Sequence, residues 1–172
     1  MAIKKFRFFL ASNIEKEEAW LTEMSQNGYH FTKYKYGFYY FEQDAAVSYV
    51  YQTDFRQDTD EVYFQLYKDA GWQHMMSYLE SFHYFRTEAD KSGFKKIYSD
   101  PESVAESLQR MMNMYVAIFL SLIAIQSGLF LMWDNSGLVS IISSTIVFSV
   151  ILLYVFLLFS IKRKINYYRK QI

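Results

Sequence analysis

The sequence predicts an α+β fold: duplicated strand-helix-strand-strand units forming a two-layer sandwich, followed by an antiparallel two-helix transmembrane hairpin. Three observations lead there. Residues 1–44 match the stretch that follows them at one constant offset, so that Phe6 meets Tyr49, Phe8 meets Tyr51, Trp20 meets Tyr63, Gly28 meets Gly71 and Tyr29 meets Trp72. After one inserted residue, Tyr40-Phe41 falls on Tyr84-Phe85. Aromatic side chains make up 20% of the chain, with 16 Tyr and 16 Phe, and they recur at these matched places. Finally, residues 111–161 hold a single charged side chain, Asp134. A self-match of this kind marks a repeated supersecondary unit, and long uncharged segments mark membrane helices.

In the first unit, about residues 3–44, Lys5–Leu10 reads as a strand. Ser12 and Glu15 have capping-box spacing for a helix that runs to Gln26 and stops at Gly28. Tyr29–Lys35 and Phe38–Glu42 then form a hairpin around Tyr36-Gly37. The second unit, about 46–88, repeats the order. Val47–Thr53 is its strand, and Asp60–Ala70 its helix, with Val62, Tyr63, Leu66, Tyr67 and Ala70 on one face. Trp72–Leu79 and Phe82–Arg86 make its hairpin, turning near Glu80-Ser81, with His83 opposite Tyr78. Strand, helix and following strand side by side imply a right-handed crossover. The expected product is a six-stranded sheet, or two abutting sheets, with both helices on one face. The strands are aromatic in both alternation registers, so the remaining face needs a cover.

Residues 89–110 read as a link and a juxtamembrane helix. Thr87–Gly93 is polar, and Phe94–Tyr98 follows. Asp100, Pro101 and Glu102 are an N-cap, a first-turn proline and a favourable acid, so a helix starts there and continues into the first span. The spans are 111–133 and 138–161, joined by the tight turn Trp133–Gly137. Basic residues precede the first span (Lys91, Lys95, Lys96, Arg110) and follow the second (Lys162, Arg163, Lys164, Arg169, Lys170), so both termini are expected to be cytoplasmic in a multi-pass cell-membrane protein. Ala117, Ser121, Ala124 and Gly128 line one face of the first span, and Gly137, Ser140 and Ser144 one face of the second. They suit packing of the hairpin on itself or self-association with another copy. The tail 162–172 fits anionic headgroups of the lipid bilayer. At the other end, MAIKKFRFFLAS reads as a first strand rather than a signal segment, because Asn13, Glu15, Lys16, Glu17 and Glu18 interrupt any apolar run.

Eighteen basic residues balance eighteen acidic ones, which gives no support to a nucleic-acid partner. Cysteine is absent, which removes disulfides, thiolate catalysis and cysteine metal sites. His30, His74 and His83 share no metal-ligand spacing, and no P-loop, GxGxxG or nucleophile elbow occurs. Asp54, Asp58, Asp60 and Glu61 read as a solvated loop and helix start. No cofactor, no metal and no enzymatic activity are expected.

The words EKEEAWLTEMSQNGYHF, YGFYYF, YVYQTDF, YKDAGWQHMMSYLESFHYFR and IYSDPES resemble, over roughly residues 3–110, a family of Gram-positive bacterial membrane proteins known only as a domain of unknown function. That resemblance implies a regulatory setting near PadR-like transcription regulators and supplies no catalytic residues. The duplicated unit is also similar to gyrase-inhibitor-like effector-binding domains, which hold apolar or cationic molecules in an aromatic cleft between two halves. This likeness implies Tyr29, Tyr40, Glu42, Trp72 and Tyr84 as ligand-binding residues, by cation–π contact and acidic charge; an aromatic core is the other reading. The function expected is a membrane-anchored cytoplasmic sensor or scaffold that binds a protein partner or a small apolar ligand. An accessory subunit of a larger membrane complex such as a transporter comes next, then an enzyme on a membrane substrate.

Overall fold

The computed structural model describes residues 3–89, 97, 98, 100–132 and 137–172. The chain divides into two compact units, Met1–Ser103 and Val104–Ile172, and its class is α+β with a C-terminal pair of long apolar helices. The first unit contains β1 (Ile3–Phe6), a short 3-10 turn, α1 (Ile14–Gln26), β2 (Tyr29–Lys35), β3 (Phe38–Gln43), β4 (Tyr49–Phe55), α2 (Glu61–Asp69), β5 (Gln73–Tyr78) and β6 (Phe82–Glu88). Two antiparallel three-stranded sheets result, in the orders β1-β3-β2 and β4-β6-β5.

Each hairpin's second strand is therefore central, and β1 and β2 are not neighbours as expected. The tight turns place β3 beside β2 and β6 beside β5, and β1 and β4 take the free edges of β3 and β6. Each sheet carries one register shift, between Phe31 and Lys33 and between His74 and Met76. Phe6 pairs with Phe38, whereas Phe55, not Tyr49, pairs with Phe82. The matched residues Phe6 and Tyr49 thus stand at different places along their sheets.

Local chemistry explains most boundaries. Gly28 and Gly71 stop α1 and α2 at φ +80° and +87°, in the left-handed region open to glycine. Tyr36 and Gly37 both have positive φ, the two-residue turn that suits the twist of a hairpin. The second turn differs from expectation: Leu79 and Glu80 take positive φ, Tyr78 pairs with Phe82, and His83 stands opposite Ser77. Asp60 caps α2 by accepting from the Tyr63 amide at 2.8 Å. No such bond forms at α1, where Asn13 is the cap residue and Ser12 is buried, so the Ser12–Glu15 capping box is not made. β1 ends at Phe6; beyond it Phe8 is exposed and Phe9 packs inward, 5.7 Å from Trp20 and 6.2 Å from Tyr39, ring to ring.

The helices do not share a face. α1 lays Trp20, Leu21 and Met24 on the face of the first sheet that carries Phe31, Tyr39 and Phe41, all buried. α2 covers the face of the second sheet that carries His83 and Phe85; Tyr67 stacks on Phe85 at 4.3 Å and Tyr63 meets it at 6.2 Å. The opposite face, with Tyr84, meets Phe31 of the first sheet at 5.3 Å. The second sheet is covered on both sides, and Phe82–Phe85 are all buried.

α1 also closes the open edge of β4. Amides of alternate β4 residues point away from β6. The Thr53 amide donates to Glu18 Oε1 (2.7 Å), the Tyr51 amide to Thr22 Oγ1 (3.1 Å) and the Tyr49 amide to Ser25 Oγ (2.7 Å). Residues 18, 22 and 25 lie on one helical stripe, and an edge strand left bare would invite pairing with another chain.

In the second unit, α3 (Pro101–Met132) and α4 (Leu138–Arg169) are each long and apolar enough to cross a membrane. Asp100 accepts from the Ser103 amide at 2.8 Å, as its place before Pro101 requires. The helices run antiparallel: Tyr115 and Phe119 both meet Tyr154, at 6.3 and 5.9 Å, and Arg169 donates to Gln109. Ser121, Ser127, Thr145 and Ser149 donate to carbonyls four residues back, which satisfies hydroxyls that lipid would not. The expected turn Trp133–Ser136 and most of the 89–96 link lie outside the described residues.

Thr22→Val keeps side-chain shape but leaves the Tyr51 amide without its acceptor. An unmatched buried donor costs about 1–3 kcal/mol, so urea denaturation of the full chain should show a loss of that size for Thr22→Val and almost none for Lys16→Ala on the same helix.

Candidate functional site

The line where the two sheets meet is the first place to look for chemistry, and a carboxylate sits in it. Glu17 follows the apolar stripe of α1, since 17, 20, 21 and 24 have i, i+3, i+4, i+7 spacing. It is buried, and its Oε1 accepts from Tyr39 Oη of the first sheet and from Tyr84 Oη of the second, both at 2.7 Å. Desolvation raises the Glu17 pKa above the usual 4.5, against the two phenol hydrogen bonds, which lower it. Burial and the nearby Glu17 charge push both phenols up, so Tyr39 and Tyr84 stay protonated donors.

Phe31 fills the space around this triad. It lies 5.9 Å from Tyr39, 6.1 Å from Tyr51 and 5.3 Å from Tyr84. Its amide takes the Tyr51 hydroxyl as acceptor at 3.0 Å. The seam is therefore occupied by the protein's own rings.

A second buried carboxylate, Asp54, lies under α2. Its Oδ2 accepts from Tyr63 at 2.8 Å and Tyr67 at 3.0 Å, and its Oδ1 accepts from Tyr98. Of the acids read as solvated, Asp54 is thus a core residue, Asp60 is a helix cap, and Asp58 and Glu61 are exposed. Beside it, Ser77 bridges His74 Nε2 (3.0 Å) and His83 Nδ1 (2.7 Å), while His83 Nε2 donates to the Arg56 carbonyl. Desolvation, with His83 nearby, lowers the His74 pKa. Among the described residues no three His, Asp or Glu side chains gather as metal ligands.

The five residues singled out from the sequence do not converge. Tyr84 is in the filled seam, and Trp72 is buried in the α2 core with Tyr63 and Phe85. Tyr29 lies under the Lys5 ammonium at 5.6 Å. Tyr40 is half-buried on the other face of the first sheet, and Glu42 is exposed, paired across the strands with His30. A separate surface pocket of about 460 Å³ is lined by Tyr49, Gly71, Gln73, Arg86, Thr87 and Glu88; there Arg86 lies 4.2 Å over the Tyr49 ring and donates to Gln73.

Tyr40 belongs to a surface that sequence reading did not isolate. Cross-strand register puts Lys4, Phe6, Lys33, Lys35, Phe38 and Tyr40 together on the outer face of the first sheet. Lys4 Nζ sits 3.8 Å over Phe38, Lys33 Nζ 4.9 Å over Tyr40, and Lys35 Nζ 5.1 Å over Tyr36 at the turn. The alternation Lys33-Tyr34-Lys35 carried the signal, with lysines on one face of β2.

The family described as "Protein of unknown function (DUF2812)" matches residues 13–120, and the chain belongs to it. No curated protein and no solved structure matches.

Glu17→Gln tests the seam carboxyl. A group whose folded pKa exceeds its unfolded value binds its proton more firmly when folded, so stability falls as pH rises from 4.5 through the folded pKa. Gln keeps an acceptor for Tyr39 and Tyr84 and cannot titrate. Denaturation across pH 4–8 should give a shallower decline for Glu17→Gln than for the parent; equal slopes would contradict the raised pKa.

Proposed function

We propose that this protein is a membrane-anchored cytoplasmic domain with a regulatory, non-catalytic role, acting as a sensor or scaffold through the open face of its first sheet. The observation that carries this reading is the contrast between the two sheets. The second is covered on both faces, by α2 and by the Tyr84–Phe31 contact. The first leaves Phe6 at 68% exposure and Tyr36 at 81% beside partly exposed Phe38 and Tyr40. Exposed aromatics gathered on one face are an interaction surface, whereas a seam filled by Phe31 offers no room for an apolar ligand.

Anchoring rests on α3 and α4, whose outward side chains include Leu120, Ile125, Ile142, Phe148, Leu152 and Phe156. Lys162, Arg163, Lys164, Arg169 and Lys170 follow the second apolar stretch, and the residues joining the two helices carry no base. That asymmetry favours both termini in the cytoplasm. The regulatory part of the reading draws on the resemblance to proteins found beside PadR-like regulators.

Single cysteines in this otherwise cysteine-free chain test both parts. Under an impermeant maleimide, Ile172→Cys should react only from the cytoplasmic side and Asp134→Cys only from outside; the reverse pattern would overturn the topology. In native membranes Tyr36→Cys should react several-fold more slowly than Glu61→Cys, because its face is occupied. Equal rates would remove the open face as the binding surface.

A further inference from the structure

We infer that the outer face of the first sheet is a docking surface for an anionic phospholipid headgroup layer. This rests on the reading of that face as the binding face and names what covers it.

Charge and ring placement both point to lipid. Among the residues that register assigns to this face, Lys4, Lys33 and Lys35 are basic and Glu42, at its far end, is the one acid. Across the whole chain the charges balance, so this surface is locally basic by arrangement and not by composition. The aromatic groups reach furthest into solvent at Phe6 and Tyr36. Gly37 makes this close arrangement possible: it has φ +80°, and a Cβ there would come within 2.9 Å of Phe6 Cε2. Phe6 in turn packs edge-on against Phe38 at 5.3 Å.

All three lysines are exposed, each with its ammonium over a ring face in cation–π contact. Amphipathic rings beside cations are the composition that suits a headgroup region, where ring bodies enter the acyl boundary and ammonium groups meet phosphate. Among the described elements, the helix that packs on β1 and β3 is α1, and it lies on the Tyr39–Phe41 side, so their Phe38–Tyr40 side is left open. A bilayer is also the partner this chain always has nearby, because α3 and α4 are built to cross one, and tethering raises the effective concentration of a weak second contact. A soluble acidic protein would satisfy the lysines but gives no reason for Phe6 and Tyr36 to stand exposed.

The full-length Tyr36→Cys chain, labelled with an environment-sensitive fluorophore, is reconstituted in vesicles of phosphatidylcholine alone or with about 30 mol% phosphatidylglycerol, each carrying headgroup-level nitroxide lipid. Quenching should be about threefold greater in the anionic vesicles and should fade at high salt. Lys4→Glu, Lys33→Glu and Lys35→Glu together should abolish the difference, while Lys16→Glu with Lys68→Glu, equally charge-reversing but on α1 and α2, should leave it. Lys33→Gln with Lys35→Gln is the milder variant if the triple reversal fails to fold, and should reduce the difference by half or more. Equal quenching in both vesicles, or a difference insensitive to these lysines, would overturn the proposal. If Tyr36→Cys is shielded in native membranes yet unquenched in either vesicle, the face binds something other than lipid and only this inference falls. If it is shielded in neither, the broader reading falls as well.

Discussion

Everything in the first unit depends on α1 serving two sheets at once. Its apolar stripe belongs to the first sheet, through Trp20, Leu21 and Met24. Its polar stripe belongs to the second, where Glu18, Thr22 and Ser25 take the outward amides of Thr53, Tyr51 and Tyr49 in β4. Within the apolar stripe, Glu17 accepts from one tyrosine of each sheet. Seven helical residues advance roughly 10 Å while four strand residues advance roughly 13 Å. Side chains of unequal length, from Glu18 to Ser25, make up that difference. Sheet pairing is blocked at this edge, and the two halves are joined through side chains instead of a continuous ladder.

That arrangement decides which aromatic residues are covered. Phe38-Tyr39-Tyr40-Phe41 and Phe82-His83-Tyr84-Phe85 occupy equivalent central strands. The second run is buried on both faces because α2 takes one and the first sheet takes the other. The first run has α1 on one face and lysine stems on the other. Unlike surroundings therefore give similar words different uses: Tyr84 holds the seam and Tyr40 sits under Lys33. One half builds core and the other presents a surface.

Periodicity and turn chemistry made the elements readable from sequence. The glycine stops at 28 and 71, the Asp60 cap, the Asp100–Pro101 helix start and the two apolar helices all follow from local rules that tertiary context did not override. What stayed hidden depends on which faces meet. Glu18, Thr22 and Ser25 look like a solvated helix face until an edge strand lies beside them, and Asp54 looks like a loop acid until three phenols surround it. Glu17 could have been noticed, as a carboxylate inside an apolar stripe. The grouping of five ligand residues followed an analogy between folds, and the seam it pointed to is filled by Phe31.

Native-state hydrogen exchange at the Tyr49, Tyr51 and Thr53 amides tests the central claim, that α1 closes the β4 edge. With their side-chain acceptors in place, these three amides should exchange as slowly as the β6 amides bonded within the ladder, and together with them. Exchange at the rate of an open edge strand, far ahead of β6, would mean that the helix does not hold the two sheets together.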